Sequence, residues 1–174
     1  MKNKSWLAPE HGQVSRFGIA AFVCIIFAGL LQTACGSHFV YQERKPIANS
    51  RWTYRDTFDF RFEVPDTSKT YNLFLDVEYA DSFPTQNLYL RLHTLFPDGK
   101  RLAKQKSVDL FDARGAALGA CSGQRCNLHM LLQEHTYFND PGTYVITLEQ
   151  YSRHDSLPGI YAIGMAMEEA AKPK

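Results

Sequence analysis

The strongest constraint on this chain is an alternation of apolar and polar side chains with period two. Phe58, Phe60, Phe62 and Val64 alternate with Asp59, Arg61 and Glu63. Successive side chains of a strand point to opposite faces, so such a run has one face for a core and one for water. Pro65-Asp66 ends it. The pattern returns at Tyr71, Leu73, Leu75, Val77 and Tyr79, with Asp76 and Glu78 between them. It returns again at Leu88, Leu90 and Leu92, at Tyr144, Ile146 and Leu148, and at Tyr161, Ile163, Met165 and Met167. Residues 127–138 are ambiguous. Leu128, Met130 and Leu132 fit a strand, whereas Leu128, Leu131, Leu132 and His135 fit a helix face; the neighbouring strands favour the first reading.

Turn chemistry separates these runs. In Phe96-Pro97-Asp98-Gly99, Pro presets φ and Asp-Gly tolerates the left-handed region, so residues 87–95 and 100–111 should pair as a hairpin. Asp140-Pro141-Gly142 and Leu157-Pro158-Gly159 bend the chain again. Residues 112–124, with Gly115, Gly119 and Gly123, read as a loop. The expected architecture is all-β: an antiparallel, jelly-roll-like β-sandwich of seven or eight strands over residues 51–168. Residues 169–174 read as a flexible tail.

The start of the chain addresses it elsewhere. Lys2, Lys4 and Arg16 precede an apolar run from Phe17 to Leu31, and Thr33-Ala34 then lead into Cys35. A basic segment, an apolar segment and small residues in that order read as a secretory signal. A cysteine directly after the small residues reads as a lipoprotein signal, cleaved after residue 34 with Cys35 then carrying acyl chains. Gln32 departs from the apolar residue of a strict lipobox, and Leu31 stands one place earlier. An uncleaved anchor and a plain secretory cut after Ala34 are the alternatives; the apolar run is short of the roughly 20 residues a spanning helix needs. On the lipoprotein reading, residues 1–34 are removed and 35–50 form a lipidated start and tether. The domain is then held to a membrane of the cell envelope, facing the periplasm rather than the outside. Stable attachment takes more than one acyl chain.

Charge and cysteine usage narrow the functions. The 19 Lys and Arg balance 18 Asp and Glu without a basic stripe, which gives nucleic-acid binding no electrostatic footing. Cys24 leaves with the signal, so Cys121 and Cys126 remain. In an oxidising compartment such a pair usually forms a disulfide. The competing reading takes Cys121, Cys126, His129 and His135 as a zinc set, but only two residues separate Cys126 from His129, against roughly a dozen in zinc frameworks. No metal or cofactor is therefore expected.

Catalytic sets are equally weak. His154-Asp155-Ser156 has triad residue types, but sequence neighbours cannot form the relay a triad needs, and no G-x-S-x-G elbow exists. Asp76, Glu78, Asp109 and Glu149 could be imagined as glycosidase carboxylates; each reads more simply as an outward charge on a half-wet sheet. No catalytic residue is assigned, and the chain is not expected to be an enzyme. Trp52, Tyr54 and Tyr89 are candidate stacking platforms for sugars or partner residues, with core or rim packing as the plainer reading.

A series of short motifs carries a family resemblance. Trp52-Thr53-Tyr54 precedes the Phe-alternating strand, and Tyr71-Asn72-Leu73-Phe74-Leu75, Asn87-Leu88-Tyr89-Leu90 and Pro97-Asp98-Gly99 follow. Pro141-Gly142-Thr143-Tyr144, Glu149-Gln150-Tyr151 and Leu157-Pro158-Gly159-Ile160 complete it. In order and spacing, over most of residues 35–168, the chain resembles the GldH family of gliding-motility lipoproteins. The Cys121–Cys126 loop is not part of the resemblance. The resemblance implies a lipid-anchored accessory or structural protein of the envelope, with protein partners in the gliding machinery and its associated secretion, and no family catalytic residues. An envelope carbohydrate-binding module is the alternative.

Overall fold

The alternating runs become strands of two antiparallel sheets in a computed structural model that describes residues 39–170. The strands are β1 (Phe39–Pro46), β2 (Arg51–Thr53), β3 (Thr57–Val64), β4 (Tyr71–Ala80), β5 (Asn87–Leu95) and β6 (Arg101–Asp109). They continue as β7 (Ala120–Ser122), β8 (Arg125–Thr136), β9 (Gly142–Gln150), β10 (Ser156–Pro158) and β11 (Ile160–Glu169). The larger sheet has the order β1-β11-β4-β8-β7 and the smaller the order β3-β9-β5-β6, while β2 and β10 pair alone. This is the expected all-β sandwich. Cys35 and the expected signal over residues 1–34 lie outside the described residues.

Each sheet turns its apolar register inward. Leu75, Val77 and Tyr79 of β4 and Ile163 and Met165 of β11 meet Phe60 of β3, Leu88 and Leu90 of β5 and Leu148 of β9 in one buried cluster. Burying a side chain of this size contributes about 1.5–3 kcal/mol. Aromatic rings fill one end of it: Phe62 stacks on Tyr144 at 5.9 Å, and Phe138 meets Tyr144 edge-on at 4.7 Å.

On the outer face of the larger sheet the interior strand β11, between β1 and β4, is thin. Ala162, Gly164 and Ala166 occupy its outward register and are too small to rise above the backbone. Arg44 of β1 reaches over them to Glu78 of β4, at 2.5 Å, and Arg125 of β8 meets the same carboxylate at 3.0 Å from the other side. The ion pairs roof β11 at Ala162 and Gly164, while Ile163, Met165 and Met167 are buried from the other side by the core.

Several expectations are corrected. The tether read over residues 35–50 contains β1, which pairs with β11 from Phe39 to Pro46, and Ile47 is buried. The alternation in β1 was masked because Tyr41, Glu43 and Lys45, all only partly exposed, mix apolar and charged types. Tyr41 lies against Phe62 and its hydroxyl donates to Glu43 at 2.6 Å. The loop read over 112–124 carries β7, which pairs with β8. The tail begins later than expected: β11 runs to Glu169, and the Ala170 N–H donates to the Thr70 carbonyl at 2.8 Å. Residues 127–138 follow the strand reading, as β8, and the hairpin over 87–111 forms as β5 and β6.

Candidate functional site

The two cysteines of the folded domain stand directly opposite each other on β7 and β8. Gly123 takes a positive φ of 60° in the intervening turn, a conformation glycine adopts without a Cβ penalty. That brings Cys121 and Cys126 into register, and they form a disulfide. Cys126 is fully buried and its partner exposed. Both sulfurs are thereby withdrawn from the zinc reading. His129 instead lies beside Asp76, Nδ1 to Oδ1 2.7 Å, with its ring stacked on Phe74 at 4.6 Å. His135 lies on the same strand beside Glu134.

The four carboxylates weighed as catalytic groups are dispersed, and each is tied to a neighbour. Asp76 and Glu78 lie on the larger sheet, engaged by His129 and by the two arginines. Asp109, at the end of β6, accepts from the Asn87 side chain. Glu149 of β9 is shared by Arg91 at 3.0 Å and His93 at 3.1 Å. Glu149 does face outward, as its alternation predicted. His154-Asp155-Ser156 forms no relay: the His154 carbonyl accepts from Gln150, and Ser156 Oγ accepts from Arg51.

The candidate platforms separate. Trp52 is fully buried; its indole N–H donates to the Asp56 carbonyl at 2.8 Å and its ring meets Phe58 edge-on. It is a core residue and not a platform. Tyr89 remains exposed, and Tyr54 is exposed with its hydroxyl donating to the Ser152 carbonyl at 2.5 Å.

Tyr89 lines a groove of about 730 Å³. The groove runs from Asn87 of β5 and Gln105 of β6 to the 151–154 loop. Tyr151 sets its wall: its N–H donates to the Tyr89 carbonyl at 2.7 Å, carrying the sheet ladder past the end of β9. The Arg91 guanidinium stacks 3.9 Å from the Tyr151 ring, a cation–π arrangement. A second hollow, of about 550 Å³, continues past Tyr151 between Tyr54, Arg91 and Glu149. The sequence reading missed Tyr151 and Arg153 as groove residues. Tyr151 follows an alternating strand, and only its pairing with Tyr89 turns it toward the groove.

Hydrogen bonding sets the titration of the turns, and burial that of the phenols. Backbone and hydroxyl donors of Thr53 hold the Asp56 carboxyl below the usual carboxylate range. Burial pushes the hydroxyls of Tyr41, Tyr79 and Tyr144 up. The Tyr41 hydroxyl and then Lys45 hold Glu43 down.

Fold and surface together define a two-sheet β-sandwich domain with paired charges on its outer faces and a tyrosine-lined groove. The family described as GldH lipoprotein matches residues 39–167, nearly the whole described domain. The chain belongs to the GldH lipoprotein family. It is 25% identical over 163 residues to a gliding motility lipoprotein GldH homolog of Christiangramia forsetii, covering 90% of this chain and 98% of the relative. It is 24% identical over 140 residues to gliding motility lipoprotein GldH of Flavobacterium johnsoniae, covering 80% and 86%. Among solved structures, an infectious bursal disease virus protein aligns at TM-score 0.32 and 11% identity, over 78% of this chain and 31% of the viral one. TmCBM61 in complex with β-1,4-galactotriose aligns at TM-score 0.26 and 9% identity, over 76% and 88%. Among the described residues, no helix is long and apolar enough to cross a membrane.

Proposed function

We propose that this protein is a lipid-anchored accessory component of the cell envelope, supporting gliding motility and its associated secretion by binding other envelope proteins. Cys35 is the lipidated residue, and residues 1–34 are the signal removed before acylation. The domain works by binding and not by catalysis. The observation that carries this reading is the family match, which spans residues 39–167 of a chain whose lipobox-like cysteine stands just ahead of it. Only Gly36, Ser37 and His38 separate Cys35 from β1. At most roughly 14 Å of extended chain would then lie between lipid and domain, so the periplasm-facing domain would work close to the membrane surface.

Intact mass of the native protein tests the anchor. The expected mass is that of Cys35–Lys174 plus acyl chains, and Cys35→Ser should release the protein from membranes. Retention of residues 1–34 would overturn this part. Cross-linking in intact cells tests the rest: discrete envelope partners are expected, together with a motility or secretion defect on deletion. A monomer that cross-links to nothing, in cells whose motility and secretion survive deletion, would overturn it.

A second reading, glycan binding in the envelope, is favoured by the groove. Tyr89 and Tyr151 present aromatic surface beside Asn87, Gln105 and His154, and aromatic faces with planar polar groups suit sugar rings. Binding on a glycan array that is lost in Tyr89→Ala or Tyr151→Ala would support it. An array without binding would remove it.

A further inference from the structure

Strand β6 is paired on one side and free on the other. It closes the smaller sheet and bonds only to β5 among the described residues. Its ladder is bracketed by Phe96 N–H to Lys100 O at 2.9 Å and Leu110 N–H to Gln86 O at 2.8 Å. Hydrogen-bonded and non-hydrogen-bonded pairs alternate along an antiparallel ladder. Leu102, Lys104, Lys106 and Val108, opposite Thr94, Leu92, Leu90 and Leu88, therefore turn their backbone groups toward β5. Arg101, Ala103, Gln105 and Ser107 turn theirs away from it, into the open edge.

The side chains leave the same flank uncovered. Leu102, Lys104 and Lys106 stand in the inward register, beside a fully buried Leu90, yet everything from Arg101 to Ser107 is exposed. Leu102 is 44% exposed. On the larger sheet, Leu128 and Met130 of β8 stand opposite buried Val77 and Leu75, yet they and Leu132 are only partly buried. The sandwich is open along β6 and β8, with an apolar interior and a basic rim.

Free edges template the pairing of another chain, and lysines on an edge commonly prevent it. Here the lysines decide which chain can pair. Arg101, Lys104 and Lys106 line this edge; antiparallel β6-to-β6 pairing centred on Gln105 would set Lys104 of each copy against Lys106 of the other, and like charges directly opposite are destabilising. None of the three holds an ion pair among the described residues, whereas Lys100 next to them pairs with Asp98. We infer that the open edge of β6 binds an extended acidic segment of a partner protein by strand addition. Carboxylates of the added strand sit opposite Lys104 and Lys106, and its apolar side chains cover Leu102 and Met130. Main-chain hydrogen bonds supply affinity and alternate side chains supply specificity in this mode. The inference rests on the protein-binding reading above.

The test titrates the full-length lipidated protein, in detergent, with a fluorescent extended peptide in which every second residue runs glutamate, glutamate, valine, with threonine between them, so that one face sets the carboxylates against Lys106 and Lys104 and the valine against Leu102. Binding that weakens with salt is expected, with slowed amide exchange at Ala103, Gln105 and Ser107 and little change at Lys104 and Lys106. A103P and Q105P remove edge N–H groups without touching the bonds to β5, and each should weaken binding by at least about tenfold. K104E combined with K106E, a change confined to exposed side chains, keeps the test valid where a proline variant fails to fold. It should abolish binding of the glutamate peptide and favour the lysine-for-glutamate version. No binding, binding unaffected by the charge reversal, or unchanged edge amides on binding would overturn the inference. Envelope cross-links that persist in the charge-reversed protein would overturn the β6 edge alone and leave protein binding standing. Peptide binding as expected in a protein that cross-links to nothing in cells would overturn the protein-binding reading instead.

Discussion

The phenol of Tyr79 donates to the main-chain carbonyl of Leu110 at 2.7 Å, joining β4 of the larger sheet to the segment that leaves β6 of the smaller one. The same oxygen accepts the Gly119 N–H at 3.1 Å. One buried hydroxyl thus ties both sheets to the start of the disulfide hairpin. In Tyr79→Phe the Leu110 carbonyl keeps the Leu118 N–H, but the Gly119 N–H loses its acceptor. A loss of about 1–2 kcal/mol is expected, read as a lower denaturant midpoint with unchanged slope. An unchanged midpoint would mean that water replaces the phenol at no cost.

Gly164 is the point where β11 can carry no side chain. A Cβ there would lie 2.9 Å from the Glu43 carbonyl oxygen and 3.2 Å from the Asp76 Cβ. The first neighbour is backbone and cannot rotate away. Gly164→Ala should therefore cost about 1–3 kcal/mol and loosen β1, seen as faster amide exchange from Phe39 to Pro46. Equal exchange in β1 would show that the Arg44–Glu78 roof absorbs the methyl group.

Reduction of Cys121–Cys126 should weaken the fold without dissolving it. The bond closes a loop with a sequence separation of 5, for which chain entropy gives about 2 kcal/mol. The ladder between β8 and β4, from Tyr71 to Ala80, holds the hairpin to the sheet without the bond. Denaturation with and without reductant checks this, and a mass gain of two hydrogen atoms on reduction, two electrons and two protons, confirms the bond in the native protein. Complete unfolding under reductant would mean that the hairpin organises the domain.

Acid should erode stability through the turns. The Asp98 carboxyl is held below its usual range by the Lys100 ammonium and then its N–H, and Asp112 by the Ala116 and Arg114 N–H groups. Asp66 is lowered by the Ser68 hydroxyl and then its N–H. A carboxyl with a lowered folded-state pKa adds stability above the unfolded value, about 3.9. That stability is lost as pH falls through the folded values. Asp98→Asn with Asp112→Asn should flatten the fall in melting temperature below about pH 4. At the other limb, burial raises Tyr79 and Tyr144. Their contribution is present below the unfolded value, about 10, and lost as pH rises above it. A melting temperature flat across both limbs would contradict these assignments.

Legibility followed the side chains. β3, β4, β5, β9 and β11 could be read from the sequence because each carries an unbroken inward row such as Phe58-Phe60-Phe62-Val64. Leu128, Met130 and Leu132 separated β8 from a helix in the same way. β1 could not be read, because its core-facing register holds Glu43 and Lys45 with only Tyr41 to mark it. Trp52 looked the same as a platform or as a core residue until the Asp56 carbonyl supplied a partner for its indole. The groove was illegible for a similar reason: Tyr89 and Tyr151 are 62 positions apart and meet only through ladder pairing.

By itself, the order of residues determined that this chain makes half-buried strands joined by Pro-Asp-Gly and Pro-Gly turns. Alternation and turn dihedrals are local properties, decided within a few residues. It also marked Cys35 and brought Cys121 near Cys126 along the chain. Tertiary structure alone decided which strand is central, which edge is left unpaired, and which charges find partners across β11. Those outcomes depend on contacts between residues far apart in the chain, and no local pattern records them.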